Sequence, residues 1–469
     1  MTAPGTPGRG APGRGRRYGR RVALGVAYLA CVAAGLMWWP GGGPAAGTAP
    51  RHPAPRHPAP HHPAPPSLAL PRLPRCPARS AIPCYARDPL HRAYGTAALY
   101  ARGITGAGTT IAVIVPDAAV TVLPDLGVFD RYFRLPAARV QVLSYEGARP
   151  DETALGSVAG WDQEGTADLE LAHFMAPDAR LAYVRIPAGK PQDAMSALAW
   201  LAGRERVDVA SFSWGTWEPA IPAAGPGALR QMRAGLVTAA ARGVTVIAGS
   251  GDTGPTYATR HGWYPGRAVP WPTSDPLVTG TGETTVPAAG PHAPRPAEGR
   301  PYGTASGAGL SRLFPRPCWQ DHVRDVVGSR RGVTDISMTG QAWVYVRTPG
   351  QPRSAGWNYA WGSSLSAPLL AGIIADAAQQ AGRPLGVINP ALYRMRGPAD
   401  GITDVTRGND SAHGVTGYSA GPGYDLPTGI GTISDAAAFT TALTRLDRPP
   451  GPGQAPGSCP AAPAREVRS

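Results

Sequence analysis

The chain has 469 residues, 45 basic against 31 acidic, for a net charge of +14, with 43% hydrophobic and 16% charged residues. That size and apolar content suit one large globular domain or two modest ones and exclude a disordered scaffold, while 54 prolines and 61 glycines point to extended ends. Much of the positive charge precedes the globular region and is almost wholly arginine, which argues against a nucleic-acid partner.

Residues 1–21 carry arginines and no acid, a positive-inside flank to the apolar run 22–39, "VALGVAYLACVAAGLMWW". A membrane span needs about 20 such residues. The expectation is an uncleaved anchor in the cell membrane with the catalytic domain outside the cytoplasm. The alternative is a secreted protein, cut after a signal peptide at the small residues Val32, Ala33 and Ala34. Residues 40–75, with "RHPAPRHPAPHHPAP", read as a semi-rigid polyproline tether. Outside a membrane the compartment permits disulfides. Cys76 and Cys84 bracket the short loop "CPARSAIPC" and are the preferred pair, which leaves Cys318 with Cys459 among three possible connectivities.

From residue 84 to 445 short apolar runs alternate with amphipathic segments. "TTIAVIVP" (109–116), "ARLAYVRI" (179–186), "VDVASFSWG" (207–215) and "VTVIAGSGD" (244–252) have buried-strand length. Between them "GTADLELAHFM", "PQDAMSALAWLAG" and "GALRQMRAGLVTAAARG" have helical periodicity. The order predicts βαβ units, hence an α/β fold with a parallel sheet covered on both faces and chemistry at the carboxyl ends of its strands. Residues 446–469 return to Pro/Gly/Ala/Arg composition and read as a disordered tail.

In "YAWGSSLSAPLLAG" glycine and small hydroxyl residues run into a helix, a mounting that suits Ser364 as nucleophile, with Ser366 as runner-up inside the helix. A serine needs a base. No histidine stands in the His-Gly-Thr setting of a subtilisin-type base, since His413-Gly414 is followed by Val415 and comes after Ser364, and Ser364 does not lie in a GxSxG elbow. Carboxylates are the other candidates. Glu164 and Asp168 stand at i and i+4 of a predicted helix and share a face. Such pairs are common on solvated faces, but two close carboxyls also make a proton-sharing dyad that works in acid. Asp252 ends a strand in "IAGSGDTG" and reads equally as a turn aspartate accepting backbone N–H bonds or as a protonated donor to an oxyanion.

Together these motifs resemble the sedolisin family of serine-carboxyl peptidases over roughly residues 84–439, helped by "SFSWG", "AVPWPTSDPLVTGTGETT", "GLSRLFPRPCWQ" and "GVTDISMTG". The resemblance implies a subtilisin-like fold and a serine endopeptidase active in acid. By position, Glu164 is the general base toward Ser364, Asp168 orients it, and Asp252 helps hold the oxyanion. It also implies that "ITDVTRGNDSAHGVTGYSAGPGYDLPTGIG", within residues 402–431, binds one structural Ca2+ through the carboxylates of Asp404 and Asp425 and the backbone oxygens of Val405, Gly421 and Gly423. Protein or peptide substrates follow; a catalytically inactive surface protein of the same fold is the competing expectation. The sequence departs from the family pattern at Ser363, where a threonine is usual, at Glu283, where a glycine is usual, and in having a tether where a large folded propeptide is usual.

Overall fold

The computed structural model describes residues 89–116, 122–145, 158–186, 191–224, 227–259, 261–285, 295–296, 305–347 and 356–447. The apolar run 22–39, the tether 40–75, Cys76, Cys84, Cys459 and the tail beyond residue 447 lie outside them. Among the described residues no helix is long and apolar enough to cross a membrane. Cys318 is in a disulfide whose partner lies outside the described residues.

The strands used below are β1 (Thr110–Pro116), β2 (Arg139–Ser144), β3 (Arg180–Ile186), β4 (Val209–Phe212), β5 (Thr245–Gly249), β6 (Val278–Thr285) and β7 (Ile336–Thr339), followed by β8 (Gln341–Val346), β9 (Gly356–Trp361), β10 (Ile402–Thr403) and β11 (Thr432–Ile433). The central sheet runs β10-β11-β7-β6-β5-β4-β1-β3-β2, parallel from β11 to β2, with β10 antiparallel at one edge. Ile111 to Val115 on β1 are all buried, as are Val209 to Phe212 on β4, the continuous burial of strands covered on both faces.

The covering helices are α1 (Val122–Phe133), α2 (Val158–Met175), α3 (Pro191–Arg204), α4 (Ala228–Ala241), α5 (Ser363–Ala381) and α6 (Ala436–Leu446). One core joins α1, α2, α5 and α6 to a sheet face through Leu169, Phe174, Leu369, Ile373 and Phe439, and a second joins α3 and α4 to the other face through Leu198, Leu201, Met232 and Leu236. Helices α2 and α5 cross closely. A Cβ on Gly372 of α5 would lie 2.4 Å from the Cβ of Met175 and 3.0 Å from the carbonyl oxygen of Ala172, so only a glycine admits this approach. That crossing carries the acidic face of α2 toward the amino end of α5, where Ser364 sits. The predicted strands and helices are present with ends shifted by a few residues, except that α2 starts seven residues before "GTADLELAHFM", with Glu164 already inside it.

Candidate active site

Gly362 caps α5 with φ of +141°, a backbone setting that favours glycine, and the chain turns from β9 directly into the helix. Ser364 therefore lies in the first helical turn, where N–H groups lack intrahelical acceptors and the helix dipole is positive. Pro368 lies four residues on. It has no N–H to give to the Ser364 carbonyl, so that oxygen is released from the helix ladder. Ser213, just past β4, takes it up. Its Oγ lies 3.0 Å from the Ser364 carbonyl oxygen and 2.7 Å from Asp168 Oδ1, and its hydroxyl serves one acceptor at a time.

Glu164 and Asp168 are both buried on α2, as their spacing predicted. Burial raises the Glu164 pKa well above the usual carboxylate range, and the charges of Asp168 and Asp252 raise it further, against the opposing effect of Ser364 and Ser213. Burial pushes Asp168 up to about 8 despite the bond from Ser213. One proton is therefore retained between the pair through the neutral range. The Ser364 hydroxyl is near enough to favour ionised Glu164. Still, Glu164 Oε1 and Ser364 Oγ are both buried without a hydrogen bond of ordinary geometry. The contact is a loose one that a bound substrate would tighten.

Asp252 resolves the choice left open by its sequence setting only in part, because its two oxygens face different neighbours. Oδ1 accepts from the Ser363 backbone N–H (2.7 Å) and from Ser363 Oγ (2.8 Å), while Ser363 Oγ accepts from the Gly251 N–H (2.9 Å). On the other side, a Cβ placed on Gly362 would lie 2.8 Å from Asp252 Oδ2 and 3.1 Å from Ser364 Oγ. Gly362 thus packs its Cα against both the serine hydroxyl and the second carboxyl oxygen, with no room for a side chain between them.

Ser366 drops out as nucleophile. Its Oγ is fully buried and turned to the carbonyls of Met338 and Thr339, at 3.3 and 3.2 Å. His413 is held elsewhere, stacked on Trp263 with ring centroids 3.4 Å apart. Two groups escaped sequence reasoning. Ser213 is one. The other is the stack Trp217, Tyr257 and Tyr264, with centroids 5.0 and 4.9 Å apart, whose first ring lies against Gly251 beside Asp252. The aromatic-rich segments signalled packing in the sequence, but nothing there told which rings would meet.

In the loop between β10 and β11, Asp404 Oδ2 accepts from the Gly423 N–H and Asp425 Oδ2 from the Gly421 N–H, while Asp404 Oδ1 is buried without a hydrogen-bond partner among the described residues. Burial pushes Asp425 up to about 6, and the Asp404 charge also raises it. Among the described residues no three acidic, histidine or cysteine side chains converge as a metal cluster, so a cation here would rely on backbone oxygens as well. Two mutually repelling carboxylates with an orphaned oxygen, in a loop of glycines, fit a hard cation.

The parallel sheet and its covering helices define a subtilisin-like α/β protein. Residues 155–385 match the model of the Subtilase family, Peptidase S8. The chain is 32% identical over 353 residues to kumamolisin of a Bacillus species, covering 71% of this chain and 60% of that protein. It is 28% identical over 310 residues to human tripeptidyl-peptidase 1, covering 59% of this chain and 51% of that one. The chain thus spans between half and two thirds of these relatives' lengths. A solved structure of a Pseudomonas sedolisin, described as a serine-carboxyl proteinase bound to two molecules of pseudo-iodotyrostatin, shares the fold with a TM-score of 0.63 at 23% identity, over 77% of this chain and 98% of that one.

Proposed function

We propose that this chain is a serine-carboxyl peptidase of the sedolisin kind that hydrolyses peptide bonds through an acyl-enzyme on Ser364, outside the cytoplasm and most actively in acid. Glu164 takes the proton of Ser364 Oγ as the hydroxyl attacks the scissile carbonyl. The developing oxyanion is stabilised by Asp252 and by the amino end of α5, where N–H groups lack intrahelical acceptors. Glu164 then passes its proton to the leaving amine, and water repeats the sequence to release the acyl group. Asp168 and Ser213 hold Glu164 and the Ser364 backbone in register, so that the base does not swing away when it becomes charged.

The observation that carries this reading is the convergence of Asp252 Oδ2 and Ser364 Oγ on the two sides of Gly362, with Glu164 alongside. It also disfavours an inactive binding protein, for which so costly a burial of three carboxyls would have no use. The loop residues Asp404, Val405, Gly421, Gly423 and Asp425 would hold one Ca2+, which would neutralise the two carboxylates and brace the loop. The basic and apolar residues 1–39 support membrane anchorage, and the relatives support protein or peptide substrates. A quenched peptide library and a serine-directed fluorophosphonate probe test the proposal between about pH 3 and pH 8. Cleavage and labelling in the wild type, both absent in Ser364→Ala, are expected. Cleavage that survives in Ser364→Ala would remove the assignment.

A further inference from the structure

Ser213 and Asp252 stand just past the carboxyl ends of β4 and β5. The opposite end of the same parallel sheet holds a cavity of about 520 Å3, within the size range of small-molecule sites. Its rim is one row of residues across three strands. Thr110 of β1 pairs with Arg180 of β3, and Arg180 with Arg139 of β2, the edge strand. The next row on the same face, two residues along each strand, is Ala112, Ala182 and Gln141, and its alanines belong to the core beneath α3. Ala182 and Gln141 floor the cavity, and Glu205 and Arg206, just past the end of α3, form its wall.

The arginine row is an expensive arrangement. Arg139 and Arg180 are direct cross-strand neighbours, and like charges so placed destabilise a sheet unless an anion lies between them. The Arg180 guanidinium is exposed and has no hydrogen bond or ion pair among the described residues. Arg139 reaches the Asp178 carbonyl oxygen at 2.9 Å but its carboxylate only at 3.9 Å, and Arg206 meets Asp208 at 3.3 Å. Asp208 is itself fully buried and accepts the Thr110 N–H at 2.9 Å. A guanidinium carries several N–H donors, so these contacts leave donors on all three arginines for a ligand. Glu205 is the single carboxylate among the lining residues.

We propose that this cavity binds a phosphoryl group carried on a hydroxylated small molecule, a polyol phosphate. Arg139 and Arg180 share the oxygens of one dianion, each guanidinium presenting the planar fork that matches two of them, and the bound charge removes their mutual repulsion. Arg206 adds a third donor from the α3 side. A phosphoryl group fills only part of the cavity, and the remainder admits its carrier. Glu205 repels a second anionic group but accepts hydrogen bonds from hydroxyls, and the Gln141 amide both donates and accepts. The wall therefore favours a hydroxylated ester over a polyanion. Gly108, with φ of +80° and nothing within 4 Å of the position a Cβ would take, leaves the mouth open. The site lies across the sheet from Ser364 and does not depend on the peptidase reading.

The test uses the full chain in neutral detergent at low salt, with glycerol 3-phosphate as the probe, read by calorimetric titration and by Tm. Saturable binding and a rise in Tm are expected in the wild type. Arg180→Gln and Arg139→Gln each lose charge-assisted hydrogen bonds and should bind about tenfold or more weakly. Because Arg180→Gln also removes the like-charge pair, its Tm without the probe is expected at or above that of the wild type, which separates lost binding from lost folding. Short-chain dihexanoylphosphatidylglycerol distinguishes the source of the phosphoryl group. Tighter binding of this lipid assigns a headgroup and tighter binding of glycerol 3-phosphate a free ester, and either result supports the site. No saturable binding of either probe overturns the proposal, as does wild-type affinity in both arginine variants or equal binding of glycerol without phosphate.

Discussion

Replacing Ser363 by alanine is expected to damage both the fold and the reaction, because one hydroxyl there does two things. It donates to Asp252 Oδ1 at 2.8 Å and accepts from the Gly251 N–H at 2.9 Å, in a position where Ser363 is itself buried. A bond to a carboxylate contributes roughly 1.5–3 kcal/mol and a neutral one about 1 kcal/mol, and the alanine leaves the Gly251 N–H with no acceptor from this side chain. The expected loss is about 3 kcal/mol of unfolding free energy. Asp252 keeps the Ser363 backbone N–H at 2.7 Å but can now rotate its carboxyl, so kcat should fall about tenfold to hundredfold, less than deletion of an oxyanion donor typically causes. Urea unfolding at pH 5 measures the first effect and hydrolysis of a quenched peptide the second. Ser363→Thr, which preserves the oxygen, should stay within about 1 kcal/mol of the wild type. If Ser363→Ala unfolds at the wild-type urea concentration and keeps full kcat, the hydroxyl does not couple the helix to Asp252 and the account of the site is wrong.

Stability should also depend on pH in an unusual direction. Burial pushes Asp130 up to about 7 and Asp168 up to about 8, and holds Asp376, whose two oxygens have no hydrogen-bond partner among the described residues, well above the usual range. These groups keep protons in the folded chain that the unfolded chain releases above about pH 4. Their contribution is complete below that pH and is lost as pH rises toward 8, each at up to about 1.4 kcal/mol per pH unit. Tm should therefore be highest in acid and fall between pH 5 and 8; a Tm that rises over this interval refutes the burial argument. For the proposed cation, chelation with EGTA should lower Tm by several degrees, at about 2–4 °C per kcal/mol lost, and Asp404→Ala or Asp425→Ala should abolish that response. A wild-type Tm indifferent to EGTA would remove the ion from the proposal.

Much of this protein could be read without coordinates because the relevant signals are local. The i,i+4 spacing put Glu164 and Asp168 on one face of α2, and the apolar runs marked β1, β3, β4 and β5 since a strand buried on both faces has nothing polar to alternate with. The order of acidic pair, strand-end aspartate and serine is likewise a property of the chain alone. What the chain could not express is which distant backbone groups meet. Ser213 reaches Asp168 and the Ser364 carbonyl across 45 and 151 residues, and its use depends on a carbonyl that Pro368 has freed. Glu283 was visible as an odd residue, yet only the packing of Gly340 against it shows that its carboxyl is buried beside the Gly340–Gly362 backbone. Residue types and short-range periodicity determined the elements and nominated the reacting groups; the close crossing of α2 and α5 and the stacking of β6 beside β5 and β7 decided the distances, and with them the burial that fixes where protons reside.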